Sequence, residues 1–216
     1  MHIGIIGAGR IGGNVARRLV LAGHDITVSF ARDQARLAAF AAEIGATVGE
    51  PSRAAAAEVV VLSVPWTVID AALAAAGPLD GRIVVDTTNQ YGAGGLLDLG
   101  HTAARHNADR IPGARYTKCF NTLTAGFQAG AADRGGDARI VQWICGDDAD
   151  AKTILGQLVD DAGYVPVDLG GIDECAAMEP PRRPGAVYGE EYRAGDATAV
   201  VEAVRSGRPI PPTPRY

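Results

Sequence analysis

Residues 3–32 read IGIIGAGRIGGNVARRLVLAGHDITVSFAR. An apolar run from Ile3 to Ile6 stops at Gly7-Ala8-Gly9-Arg10-Ile11-Gly12, after which Ile11, Val15 and Leu19 share one face of a helical pattern. Gly23 stands where that helix would end, and a second apolar run follows from Asp25 to Phe30. Strand, glycine turn, helix, strand is the context in which a GxGxxG spacing acquires meaning. Gly7 permits the tight turn, Gly9 lets a pyrophosphate approach the backbone, and Gly12 lets helix and strand pack closely. The free N–H groups and dipole at the helix start, with Arg10 and Ile11 in its first turn, favour an anion.

The spacing alone is weak in a chain with 28 glycines. The end of the second strand carries more information. A site for NAD usually places Asp or Glu there to hold the ribose 2′-hydroxyl. Here the residues are Ser29-Phe30-Ala31-Arg32, with Arg36 one helical turn later and no carboxylate at the strand end. Guanidinium groups offer a planar fork of donors and keep their charge, which suits a phosphate. Solvated arginines at the start of a surface helix would read the same way, but the missing carboxylate points to NADP.

At 216 residues, 47% apolar and 21% charged, the composition is that of a globular protein with one good core. A net charge of -5 argues against a nucleic-acid surface. Cys119, Cys145 and Cys175 have no CxxC spacing, so neither a disulfide framework nor a zinc site is expected, and free thiols fit a reducing compartment. The first residues enter a strand directly, with no signal-peptide pattern, and no apolar run nears the roughly 20 residues of a membrane helix. A cytoplasmic protein with no membrane, nucleic-acid or metal partner is the expectation.

The rest of the chain continues the α/β alternation. Helices are expected over 33–44, 51–57, 66–75, 98–107 and 147–162, and buried strands over 58–63, 81–86, 114–120, 139–146 and 164–169. Thr47-Val48 is an edge strand or a loop, residues 92–95 form a glycine-rich loop, and Thr122 or Thr124 caps a short helix. This predicts a doubly wound, mostly parallel Rossmann sheet over 1–170, with an irregular proline-rich tail over 171–216. Seven of the 12 prolines fall in that tail (Pro180, Pro181, Pro184, Pro209, Pro211, Pro212, Pro214), around a short helix at 197–204. Such a tail is expected to supply no core and to wrap over the body or a partner subunit.

Ligands of open α/β sheets bind beyond the carboxyl ends of the strands. Three stretches fall there. Ser63-Val64-Pro65-Trp66 ends one strand, and Trp66 either lies along the nicotinamide ribose or packs a helix start. Asn89 is a candidate for holding a carboxamide or carbonyl, or a plain turn residue. Lys118 and Asn121 either face the reactive end of the cofactor or, for Lys118, point outward from a strand. His101 and His106 read as solvated residues on the 98–107 helix, and Arg182 and Arg183 as a basic turn or an anion contact.

Taken in order, IGIIGAGRIGGNVARRLVLAGH, the Ser-x-x-Arg strand end, VVLSVPW, GRIVVDTTN, KCFNTL and ICGDDADAK resemble the NADP-binding family typified by coenzyme F420-dependent NADP oxidoreductase, over about residues 2–170. The resemblance implies that Ser29, Arg32 and Arg36 hold the 2′-phosphate, with Phe30 beside them, and that Ser63 to Trp66 border the nucleotide. It also implies a deazaflavin co-substrate, coenzyme F420, lying near Asn89 and Asn121, and homodimers formed through the C-terminal part. The tail departs from the apolar helix such a family would carry there.

The function expected is hydride transfer between NADP(H) and a deazaflavin or related redox partner. One rival is an NADP-dependent reductase of a small carbonyl or imine, which needs a proton donor; Lys118, Tyr91 and Tyr116 are the candidates. The other rival is a non-catalytic NADP sensor whose tail docks onto a partner. Reduction of a flavin or ferric complex ranks behind both.

Overall fold

A computed structural model describes residues 1–216. The first strand, β1 (His2–Ile6), leads through the glycine turn into α1 (Arg10–Leu21) and β2 (Asp25–Ser29). Helix α2 (Gln34–Ile44) starts at Asp33, whose carboxylate accepts the Arg36 N–H at 2.9 Å, and stops at Gly45, whose φ of 80° suits glycine. Then come β3 (Thr47–Val48), α3 (Pro51–Ala55), β4 (Val59–Leu62), α4 (Ile69–Ala76), β5 (Ile83–Asp86) and a small hairpin, β6 (Tyr91–Gly92) with β7 (Gly95–Leu96). The second half comprises α5 (Ala103–Arg110), β8 (Arg115–Lys118), α6 (Ala125–Ala131), β9 (Val141–Cys145), α7 (Ala149–Asp161), β10 (Val165–Gly170) and α8 (Ala194–Arg205).

Eight strands form one sheet in the order β10-β9-β8-β5-β4-β1-β2-β3. The six from β3 to β8 run parallel, β9 reverses against β8, and β10 follows β9. Strand side chains alternate between two faces. Val60, Leu62, Val84, Tyr116, Trp143 and Leu169 face α3, α4, α5 and α8, whereas Ile3, Ile5, Val28, Val59, Val61 and Ile144 face α1, α2, α6 and α7. Burial on both faces explains the near-continuous apolar strands, and the doubly wound α/β fold expected from the sequence is the one observed. At Gly4 a Cβ would sit 1.9 Å from the Ala54 carbonyl, so only glycine lets α3 cross β1 this closely.

Three expectations need correcting. The helix expected over 98–107 begins at Ala103, because Thr102 caps it by accepting the Arg105 N–H at 3.1 Å; His101 therefore precedes it. The glycine-rich stretch 92–95 is the turn of the β6–β7 hairpin. The third concerns the C-terminal segment, which does supply core. Cys175, Met178, Val187, Tyr192, Ala197 and Val200 are buried in the same apolar layer as α4 and α5. The prolines break up regular structure, but apolar residues between them still find the sheet.

Candidate functional site

The glycine turn sits at the carboxyl end of β1. Gly7 has φ 98°, and a Cβ there would lie 2.4 Å from the Ser63 carbonyl; one on Gly12 would lie 2.2 Å from the Gly7 carbonyl. Both glycines are required by the protein itself. Gly9 differs: it is exposed at the N-cap of α1, and a Cβ there would meet nothing within 4 Å. The space above Gly9 is open to a ligand. The first turn of α1 has no capping side chain and no acidic residue, so its free N–H groups are available to an anion, with Arg10 exposed beside them. These residues fit the pyrophosphate of a dinucleotide.

At the end of β2, Phe30 turns the chain with φ 56°, a conformation costly for a bulky residue. Beyond it Arg32 and Arg36 are exposed. Ser29 departs from expectation. It is fully buried and its hydroxyl donates to the Ile5 carbonyl at 3.2 Å, so the strand alternation turns it into the sheet and away from a phosphate.

After β4, Ser63 accepts a hydrogen bond from Thr87 at 2.9 Å, Val64 is buried, and Pro65 is exposed. Trp66 follows the packing alternative: it is buried in the core, with the Arg110 guanidinium 5.1 Å over its ring and the His106 ring at 5.6 Å. His101 stacks on His106, its Nε2 3.2 Å from Nδ1.

Between the α1 start and the ends of β5 and β8 lies a cleft of about 780 Å³. Arg10 and Ile11 line one end; Thr87, Asn89, Phe120, Asn121 and Thr122 line its floor. The two asparagines lock each other. Asn89 Nδ2 donates to the Asn121 carbonyl at 2.9 Å, and Asn121 Nδ2 donates to Asn89 Oδ1 at 3.0 Å and to the Met178 carbonyl at 2.8 Å. The roof comes from the C-terminal segment, including Arg182, Tyr188 and Tyr216. The Gly189 N–H donates to the Thr122 carbonyl at 2.8 Å and pins this roof to the floor. Tyr188 reaches the Tyr91 hydroxyl at 3.2 Å. Arg182 is held by Glu190 at 2.5 Å, and Arg183 donates to the carbonyls of Glu179, Pro181 and Ala176, so this pair is structural.

Lys118 corrects both alternatives, facing neither cofactor nor solvent. It is fully buried, donates to the Thr88 carbonyl at 2.7 Å, and lies 3.3 Å from Asp86 and 3.7 Å from Glu179. Asp86 also accepts from Tyr116 at 2.6 Å, Asn107 at 2.8 Å and the Thr88 N–H at 2.7 Å. Burial pushes the Asp86 carboxyl up, but the Lys118 ammonium and these hydrogen bonds outweigh it and hold it below the usual range. Burial likewise pulls Lys118 down, and Asp86 and Glu179 more than compensate. Tyr116 is sealed in the same network, its hydroxyl pushed well up by burial and the Asp86 charge. Lys118 and Tyr116 therefore serve as supports for the 87–90 loop and cannot deliver a proton to the cleft.

Sequence reasoning missed Glu179, Thr122 as a cleft residue, and Tyr188. Helix α6 is capped by Thr124, which accepts from the Phe127 N–H at 3.3 Å, so Thr122 is free of that duty.

Residues 2–90 match the family described as "NADP oxidoreductase coenzyme F420-dependent". A solved structure of a Sinorhizobium meliloti protein superposes with a TM-score of 0.78 at 29% identity, over 89% of this chain and 95% of that one. An Arthrobacter sp. FB24 protein described as an F420-dependent NADP reductase gives 0.68 at 26% identity, over 79% and 84%. The rat (Rattus norvegicus) metalloreductase STEAP3 is 26% identical over 178 residues. That match takes in 82% of this chain but 35% of the relative, so the chain spans about a third of that protein's length. No helix is long and apolar enough to cross a membrane.

Proposed function

We infer that this chain, whose residues 2–90 belong to the coenzyme F420-dependent NADP oxidoreductase family, is an NADP(H)-dependent oxidoreductase acting on a second redox partner. The observation that carries this reading is the glycine turn: Gly7 and Gly12 are demanded by packing, whereas Gly9 keeps ligand space open at an uncapped helix start. Arg32 and Arg36 take the 2′-phosphate, while Phe30 and the Ser63–Trp66 backbone border the nucleotide. The bound cofactor supplies a hydride from its nicotinamide. The protein's part is to orient the ring beside Asn89 and Asn121 and to hold the acceptor under the C-terminal roof.

The acceptor we propose is a deazaflavin, coenzyme F420, in line with the family of residues 2–90 and the description of the Arthrobacter protein. A small carbonyl or imine is the second reading, favoured by the Tyr188 hydroxyl that lines the cleft, 3.2 Å from that of Tyr91. Mixing the protein with NADPH and oxidised F420, with NADH in parallel, tests the first. Bleaching of the deazaflavin with NADPH alone supports it; NADPH binding without bleaching sinks the deazaflavin and moves the search to carbonyls and imines. A homodimer in the cytoplasm completes the proposal, and light scattering of the purified protein tests the pairing.

A further inference from the structure

The roof of the cleft has two parts, fastened in different ways. Residues 182–191 are tied through the backbone: the Gly189 N–H donates to the Thr122 carbonyl and the Val187 N–H to the Ala177 carbonyl, both at 2.8 Å. Residues 209–216, which bring Thr213, Pro214 and Tyr216 to the same cleft, belong to no helix or strand and make no backbone–backbone hydrogen bond. Side chains alone hold them. Ile210 packs against the core, and the Thr213 hydroxyl meets Glu190 and Tyr192. Tyr216 makes three contacts at once: its hydroxyl accepts the Arg193 N–H at 3.1 Å and donates to Asp196, and the Arg193 guanidinium lies 3.9 Å over its ring. The segment thus leaves the end of α8 and fastens at its start, where Arg193 is the N-cap.

Its chemistry makes this segment a stiff one. Pro209, Pro211, Pro212 and Pro214 fix φ at their positions and favour an extended, semi-rigid chain. Just before it, Gly207 has φ 65°, a conformation open to glycine and strained for other residues. There is also room around it. Thr213, Pro214 and Tyr216 border the 780 Å³ cleft, and Ile210 to Thr213 border a second hollow of about 440 Å³ with Pro184 and Ala186. Arg182, Glu190 and Thr213 line both spaces, so these side chains are the partition between them. An element packed at interior density could not shift without leaving voids, whereas this one has unfilled space beside it already.

We propose that residues 208–216 form a hinged strap over the cleft, with Gly207 as hinge and Tyr216 as latch, and that ligands enter and leave the cleft by opening of this strap while the 182–191 roof stays pinned. Opening breaks the Tyr216 contacts with Arg193 and Asp196 and the Thr213 contacts with Glu190 and Tyr192, but no backbone hydrogen bond. Its cost is therefore that of a few side-chain contacts, most of them near solvent. A ligand that touches Thr213, Pro214 or Tyr216 from within the cleft binds the closed position better and shifts the strap toward it. The strap stands on this geometry; its part in turnover rests on the NADP reading above.

The test measures the distance between two spin labels on the full chain by pulsed electron paramagnetic resonance. One label goes on the strap at Arg215→Cys and one on α7 at Asp150→Cys, both exposed positions; Cys119, Cys145 and Cys175 are fully buried and do not compete for the label. With the latch intact the distances should form one narrow group. Tyr216→Ala, at a side chain 53% exposed in the parent, keeps the fold and should raise the population of longer or broader distances roughly tenfold, the scale of one hydrogen bond to a charged group. Tyr216→Phe, which keeps the ring under Arg193, should fall between the two. Adding NADP⁺ to Tyr216→Ala should restore the narrow group, and NADPH release, followed by its fluorescence in stopped flow, should be roughly tenfold faster than in the parent. Identical distance distributions in Tyr216→Ala and the parent overturn the strap. Equal release rates overturn its role as the way in and out. Failure of NADP⁺ to bind the parent in equilibrium dialysis overturns the NADP reading instead, and the distances with and without the latch still decide the strap.

Discussion

Glu179→Gln probes how the C-terminal segment is held. Glu179 is 3% exposed, and its two oxygens accept the N–H groups of Ala103 and Ala104, both at 2.8 Å, at the start of α5. One oxygen also lies 3.7 Å from the Lys118 ammonium. Glutamine can accept one N–H; its NH₂ group must face the other, donor against donor. Losing a charge-assisted hydrogen bond costs about 1.5–3 kcal/mol. Removing a negative charge from the positive end of α5 costs about 0.3–1 kcal/mol more. Part of this is offset, because Lys118 and Asp86 remain as a balanced pair. The net expectation is about 2–3 kcal/mol, or a Tm lowered by roughly 4–12 °C for a chain of this size. Urea unfolding followed by circular dichroism measures it, with the slope unchanged. The Met178 carbonyl next to Glu179 also anchors Asn121, so the nicotinamide half of NADP⁺ should bind more weakly too. A stability within 0.5 kcal/mol of the parent (about the scatter of a neutral surface change) would refute the idea that this carboxylate fastens the segment to the body.

Other perturbations separate the parts of the site. Gly9→Ala should leave the urea midpoint unchanged yet abolish NADPH binding, whereas Gly12→Ala, whose Cβ would meet the Gly7 carbonyl at 2.2 Å, should lose both; equal stability losses in the two would contradict the ligand-space argument. Arg32→Ala with Arg36→Ala should weaken NADPH by about 10–100-fold, from lost charge-assisted bonds, and leave NADH unaffected in fluorescence titrations. Tyr188→Phe should lower kcat for a carbonyl or imine acceptor by about a hundredfold with NADPH affinity intact, since a positioned acid contributes on that order; an unchanged kcat would remove Tyr188 from the chemistry. The lowered Asp86 carboxyl contributes stability that is full above about pH 4 and is lost as pH falls through its folded value. The raised Lys118 contributes stability that is full below about pH 10 and is lost as pH rises through its folded value. In Lys118→Met two buried carboxylates lose their cation, so the acid limb of the stability profile should move to higher pH; superimposable acid limbs would contradict the pairing.

The βαβ unit and the buried strands were legible because their signals are local: glycine spacing, strand runs and helical periodicity all lie within about 30 residues. Arg32 and Arg36 were legible for the same reason. Ser29 had the right chemistry, but it lies on the strand face that looks inward, and one residue decides between a phosphate contact and a bond to Ile5. Lys118 resisted reading because its environment is assembled from Asp86, Thr88 and Glu179, the last of them 61 positions away in the chain. Glu179 itself stands before Pro180 and Pro181 in a stretch that reads as a linker, and only packing reveals it as the cap of α5.

The two ends of the sheet raise the question of aggregation, because an open strand edge invites pairing with another chain. At one end β3 is only two residues long, with both side chains exposed. At the other, the Val165 N–H points inward to the Ile140 carbonyl, so alternation turns the next position outward, and that position is Pro166, which has no N–H to offer. The Asp168 carbonyl farther along accepts from Arg205 of α8 at 3.2 Å. A free-standing strand would therefore find a truncated template at β3 and an interrupted one at β10. Both margins discourage fibre-like growth, and copies that associate are steered toward helical or loop surfaces.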